Sequence, residues 1–184
     1  HHHRGPAEIA QIIDGAAMTD GAKAIAHRMF GFVADAEARA HGVPVGEVHF
    51  HEVGAVDSIA DIIAIAVAAD DLAPDGVVVS DLPCGYGTVR CQHGLIPVPA
   101  PATAFIAEAA GLTLSPVDVE GELVTPTGAA AAAALRTEAA LPERFSIKAI
   151  GMGAGKRAYD TPGILRAMMS APAPLIVSPV GTVL

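Results

Sequence analysis

Tryptophan is absent from this chain of 184 residues, and aromatic residues make up only 4% of it. A core without large rings has to be assembled from Ala, Val, Ile and Leu. Cysteine is nearly as scarce. Cys84 and Cys91 are too few for a disulfide-stapled secreted scaffold and lack the Cys-x-x-Cys spacing of a zinc site. They flank a glycine-containing segment with hairpin character, so a disulfide is geometrically open to them. In a chain without secretory features, reduced and partly buried thiols are the expectation. Basic residues are also few, 11 Lys and Arg against 20 Asp and Glu, for a net charge of −9. That balance excludes the basic footprint of a nucleic-acid binder. Long apolar runs are missing too: the longest, Ile62 to Ala69, is too short to span a bilayer. With no secretory signal visible, a soluble cytoplasmic protein without a membrane partner is expected.

What is present indicates a compact globular chain, 52% hydrophobic with only 17% charged residues, not a disordered one. Its length suits one well-buried domain, read here as residues 1–170, followed by a Pro-rich tail or linker over 171–184. Ile9, Ile12 and Ile13 predict a helix from Pro6 to Gly15, with the proline in its first turn. A longer helix is capped by Thr19 or Asp20, carries Ala22, Ile25, Ala26, Met29, Val33 and Ala36 on its apolar stripe, and stops at Gly42. His27 and His41 read as surface or helix-end residues of that helix. Val48 to Val53 reads as a short strand. Val56 to Leu72 reads as a helix burying Ile59, Ile62, Ile63, Ala66 and Val67. Gly76 to Leu82 and Gly85 to Gln92 read as extended, as do Leu112 to Val119, Ser146 to Gly151 and Ile164 to Met169. Ala100 to Ala110 reads as a helix, and a further helix opens at Thr125-Pro126 and runs through Leu135. The alternation predicts an α/β (mixed α+β) fold, a mixed sheet packed with helices in layers.

The densest chemistry lies between His49 and Asp61. Alternate side chains of an extended segment share a face, which puts His49 and His51 together. Glu52 follows, Gly54 permits a sharp turn, and Asp57 and Asp61 fall one turn apart on the next helix. Imidazoles with carboxylates suit a borderline or hard divalent cation such as nickel, zinc or manganese. Each residue also has an ordinary reading, the histidines as satisfied turn residues and Asp57 as a cap. The set as a whole favours a metal or phosphate site.

Three further places carry weaker signals. His93-Gly94, followed by Pro97, Pro99 and Pro101, reads as a rigid extended loop presenting His93 or as a plain structural turn. The helix start at Thr127-Gly128 offers backbone N–H groups to an anion, though a capped helix accounts for it equally; Glu122 lies just before it. Gly151-Met152-Gly153-Ala154-Gly155-Lys156-Arg157 pairs backbone freedom with two cations and could wrap a phosphate. It lacks P-loop spacing.

Taken together, Val48-His49-Phe50-His51-Glu52-Val53-Gly54, Asp57-Ser58-Ile59 and Asp61-Ile62 resemble the signature of the LarC family of nickel insertion proteins. The resemblance continues in order through His93-Gly94, Pro97 to Thr103, Glu122 to Gly128 and Gly151 to Arg157, and so reaches about Met169. It implies a nickel insertase of the lyase class that forms a nickel-pincer nucleotide. Its substrate would be a pyridinium-3,5-bisthiocarboxylate mononucleotide, and it would use CTP with Mn or Mg in the complete protein. It implies His49, His51, Glu52 and His93 as candidate nickel ligands. Asp57 and Asp61 become further ligands, catalytic carboxylates or partners orienting the imidazoles. Thr127, Gly128, Lys156 and Arg157 become the phosphate contacts. His1 to His3 read either as a tag remnant or, on the resemblance, as the stump of a histidine-rich loop. The resemblance further implies a C-terminal domain, associated with the CTP step, as a partner, and leaves room for a homo-oligomer. A carrier that hands over nickel without chemistry, or a metal-dependent phosphoesterase, would use the same residues.

Overall fold

The computed structural model of the chain describes residues 4–48, 50, 56–155, 157, 159, 163–171 and 175–179. Among these, the elements alternate as an α/β fold: α1 (Pro6–Gly15), α2 (Asp20–His41), α3 (Val56–Leu72), β1 (Val77–Val79), β2 (Leu82–Tyr86), β3 (Thr88–Cys91), β4 (Gly94–Pro97), α4 (Pro101–Ala110), β5 (Leu114–Glu120), α5 (Pro126–Leu135), β6 (Ser146–Ala154), β7 (Ile164–Ala171) and β8 (Leu175–Pro179).

The main core is built around α2. The Thr19 side chain accepts a hydrogen bond from the Ala22 N–H at its start, and Gly42 ends it with φ at 66°, a conformation that suits glycine. Between those caps Ala26, Met29, Phe30 and Val33 are buried against Ile9 and Ile13 of α1, Ile59 and Ile62 of α3, Ile106 of α4 and Ala129 and Ala130 of α5. On α5 the residues facing this core are alanines, with Ala129 and Ala130 both fully buried. Phe30 and Phe50 meet edge to face at 5.3 Å, one of the few ring contacts in the core.

The strands form a four-stranded mixed sheet in the order β1-β8-β7-β6, a parallel pair β2-β5 and the hairpin β3-β4. Gly85 belongs where β2 runs against β5, because a Cβ there would collide with the carbonyl oxygens of Val119 and Gly121.

Several expectations need correction. The stretch read as a tail from residue 171 includes β8, which pairs parallel with β1 and antiparallel with β7. Ile176 and Ser178 of β8 are both 0% exposed. Proline content hid a short strand whose Leu-Ile-Val run is apolar on both faces, as an interior strand requires. Gly76 to Leu82 is not one strand, because β1 and β2 belong to different sheets. Gly85 to Gln92 is likewise broken, at Gly87 with φ at 86°. Val48 lies outside any strand and Phe50 makes only an isolated bridge with Arg4; the rest of that predicted strand lies outside the described residues. Val67 is 42% exposed, not buried. The strand read over Ser146 to Gly151 runs on to Ala154.

Candidate functional site

The predicted ligands His49, His51 and Glu52 lie outside the described residues, as does Lys156. Their surroundings are defined on both sides. After α2 ends at His41, a single 3-10 turn, Val45–Glu47, leads to Val48. Val48 and Phe50 are core residues, 1% and 2% exposed. On the far side α3 opens at Val56, with Asp57 and Asp61 both exposed at its start. Asp57 Oδ1 accepts the Ser58 N–H at 3.0 Å. The two carboxylates therefore sit one turn apart in water, where an approaching cation can reach them.

His93 stands not in an extended loop but in the turn of the β3-β4 hairpin, between the paired residues Cys91 and Gly94. Gly94 supplies the positive φ of 97° that closes the turn. The His93 backbone N–H donates to Cys91 Sγ at 3.3 Å, and His93 Nδ1 lies 3.7 Å from the same sulfur. The turn also brings His93 to the end of α2, where its ring centroid is 5.0 Å from that of His41. His41 Nε2 lies 3.4 Å from Glu37 Oε2, one helical turn back. The sequence reads His41 as a surface or helix-end residue and Cys91 as a reduced, partly buried thiol, and both hold; their approach to His93 is what it does not show. The signal in the sequence is Cys91-Gln92-His93, a Cys-x-His spacing across a turn. Both cysteines are free thiols; Cys84 lies on β2 and Cys91 on β3, strands that do not pair with each other. Among the described residues no group of three or more His, Cys, Asp or Glu converges on a single metal position.

At the predicted phosphate end, the Thr125 side chain caps α5 by accepting the Gly128 N–H at 3.2 Å. Pro126 has no N–H, so Gly128 is committed and the first turn offers an anion the Thr127 N–H. Tyr159 OH donates to the Glu122 carbonyl at 2.9 Å, and its ring packs over Gly121. That contact ties the segment carrying the exposed Arg157 to the loop that leads into Thr125. Tyr159 was not anticipated from the sequence, where it looks like any loop aromatic.

A surface cleft of about 480 Å³ is lined by Gly111, Thr113, Arg136, Thr137, Glu138 and Ala139. None of the candidate ligands or phosphate contacts lines it. Its Arg136 guanidinium is spent on the carbonyls of Ala110 and Gly111 that close α4.

The family model described as nickel insertion protein matches residues 1–181. A protein of Alkaliphilus metalliredigens is 52% identical over 165 residues, covering 90% of this chain and 39% of its own length. One of Akkermansia muciniphila is 46% identical, covering 92% and 41%, and one of Staphylococcus saprophyticus is 40% identical, covering 91% and 42%. All three carry the name pyridinium-3,5-bisthiocarboxylic acid mononucleotide nickel insertion protein. The chain thus spans about two-fifths of the length of these relatives. No solved structure matches it.

Proposed function

The chain belongs to the nickel insertion protein family, and from that premise we propose that it holds nickel as cargo and presents it to a pyridinium bisthiocarboxylate mononucleotide. The observation that carries this reading is the match along residues 1–181, together with the shared name of relatives that align over about nine-tenths of the chain. Transfer of this kind needs a weak donor set on the protein and a stronger one on the acceptor. Imidazole and carboxylate donors release nickel readily to an acceptor that offers two sulfur atoms. His49, His51, Glu52 and His93 are the proposed ligands. Asp57 and Asp61 complete or orient the set, and both are exposed at the start of α3.

The acceptor's phosphate is proposed to rest on the Thr127 N–H and the Gly128 end of α5, with Lys156 and Arg157 facing it. The guanidinium of Arg157 can form paired hydrogen bonds to phosphate oxygens, and the Tyr159–Glu122 bond holds its segment beside that helix start. The CTP-dependent step, with Mn or Mg, is proposed to belong to the complete protein and to draw on the part that the relatives have beyond the matched portion. The protein is then a nickel insertase in a lyase-type reaction, with this chain supplying cargo and acceptor binding.

Calorimetry on protein with His1 to His3 replaced by alanine tests the reading. Nickel and the mononucleotide should each bind, and Arg157→Ala should weaken only the mononucleotide. Failure of both ligands to bind overturns the proposal.

A further inference from the structure

We propose that Cys91, His93 and His41 form a sulfur–nitrogen landing site for a borderline divalent cation, placed at the joint between the β3-β4 hairpin and the C-terminal end of α2. This rests on the nickel-handling reading and adds a thiolate donor that the reading did not contain. The three side chains do not converge on one position as they stand, but two pairwise spacings match those of ligands sharing a metal. With metal–sulfur and metal–nitrogen bonds of ordinary length, two donors on one tetrahedral ion lie about 3.6 Å apart. Cys91 Sγ and His93 Nδ1 are separated by 3.7 Å. Two imidazoles on one ion place their ring centres about 5 Å apart, and those of His41 and His93 stand at 5.0 Å with planes inclined by 54°.

The supporting contacts fit as well. The His93 N–H bond to Cys91 Sγ fixes the sulfur on the side of the turn that the ring occupies. Glu37 Oε2 lies 3.4 Å from His41 Nε2, the arrangement in which a carboxylate orients a ligating imidazole through its second nitrogen. Two donors are already set by the hairpin. The third, His41, sits at the solvent-facing end of α2, and turning its side chain brings a nitrogen onto the cation; as described, the three do not yet converge.

Sulfur is a useful donor for this cargo. One thiolate among imidazoles captures nickel more firmly than oxygen donors do, yet remains the weaker set beside an acceptor that offers two sulfur atoms. On loading, the Cys91 S–H bond breaks, a metal–sulfur bond forms and one proton leaves to solvent. On transfer the metal–sulfur bond breaks and the thiol takes a proton back. The metal keeps its oxidation state throughout. Cys84 provides an internal control, because it lines a cavity of about 10 Å³ among Pro83, Val98, Pro99 and Leu114 and contacts the carbonyl of its neighbour Gly85.

The test is a nickel titration of protein with His1 to His3 replaced by alanine, followed by near-ultraviolet absorption for a thiolate-to-nickel charge-transfer band and by calorimetry. The band should appear with one proton released per nickel. It should vanish in Cys91→Ser and persist in Cys84→Ser, with circular dichroism unchanged. Affinity should fall about tenfold or more in Cys91→Ser, and Glu37→Gln should weaken binding by about tenfold while keeping the band. Nickel binding without the band, or a band that survives Cys91→Ser, overturns the sulfur site and leaves the nickel-handling reading standing. No nickel binding at all overturns both.

Discussion

His41 and His93 hold their rings 5.0 Å apart although one ends the long helix α2 and the other turns a hairpin of a separate sheet. The helical core and the hairpin therefore meet at an imidazole pair, with Cys91 and Glu37 attached on either side. His93→Ala should lower nickel affinity about 10- to 100-fold, the range seen when metal-site partners are lost. His93 is exposed, so the thermal unfolding midpoint should hardly move. Equal nickel affinity in wild type and variant would remove His93 from the ligand set.

The segment before α3 makes a separate prediction. His49→Ala with His51→Ala should weaken nickel binding further when combined with His93→Ala, if both places serve one cargo. Calorimetry on the triple variant, in the background lacking His1 to His3, gives the answer. An affinity no lower than that of His93→Ala alone would leave the histidine pair without a role in nickel binding.

Interior strand β8 makes a stability prediction. Ile176 is 0% exposed and its strand lies between β1 and β7, so Ile176→Ala should cost about 2–5 kcal/mol. Urea denaturation with a linear fit reads this directly. A loss under about 1 kcal/mol would mean that β8 is dispensable to the sheet.

Helix positions were legible in the sequence because their signals are local. Thr19, Gly42, Thr125 and Pro126 act within one turn of themselves, and each marks the boundary it was read to mark. The strands were less legible. Pro-rich flanks concealed β8, and nothing nearby in sequence announces that it pairs with β1. The site divides the same way. The capping role of Thr125 follows from its neighbours, whereas the approach of His41 to His93 depends on how a hairpin lies against α2. That is decided by packing among distant residues. Tyr159 shows the same limit, since its partner is a backbone carbonyl of another loop.

At the phosphate end, Tyr159→Phe removes a hydrogen bond to the Glu122 carbonyl. Stability should fall by about 1 kcal/mol. Mononucleotide affinity should fall with it, because the segment bearing Arg157 loses its tie to the α5 start. Nickel affinity should stay constant. A variant with unchanged mononucleotide binding would show that this tie does not position the phosphate contacts.

Thr125→Ala should destabilise the protein by about 0.5–2 kcal/mol through loss of the α5 cap. It also releases the Gly128 N–H from its present partner. Phosphate binding, read by calorimetry with the mononucleotide, should therefore survive the substitution even though stability drops. Parallel loss of both would mean that Thr125 itself, not the helix start, contacts the anion.

The most direct measurement is the yield of nickel-bearing mononucleotide, quantified by mass spectrometry. The reaction contains nickel, the bisthiocarboxylate mononucleotide, CTP, a divalent cofactor and the remaining portion of the Alkaliphilus metalliredigens relative. Product should form when this chain is added and stay near background when it is withheld. With the combined His49→Ala, His51→Ala and His93→Ala variant in its place, product should also stay near background. Equal product with and without this chain would contradict the account, because nickel and its acceptor would then be brought together elsewhere.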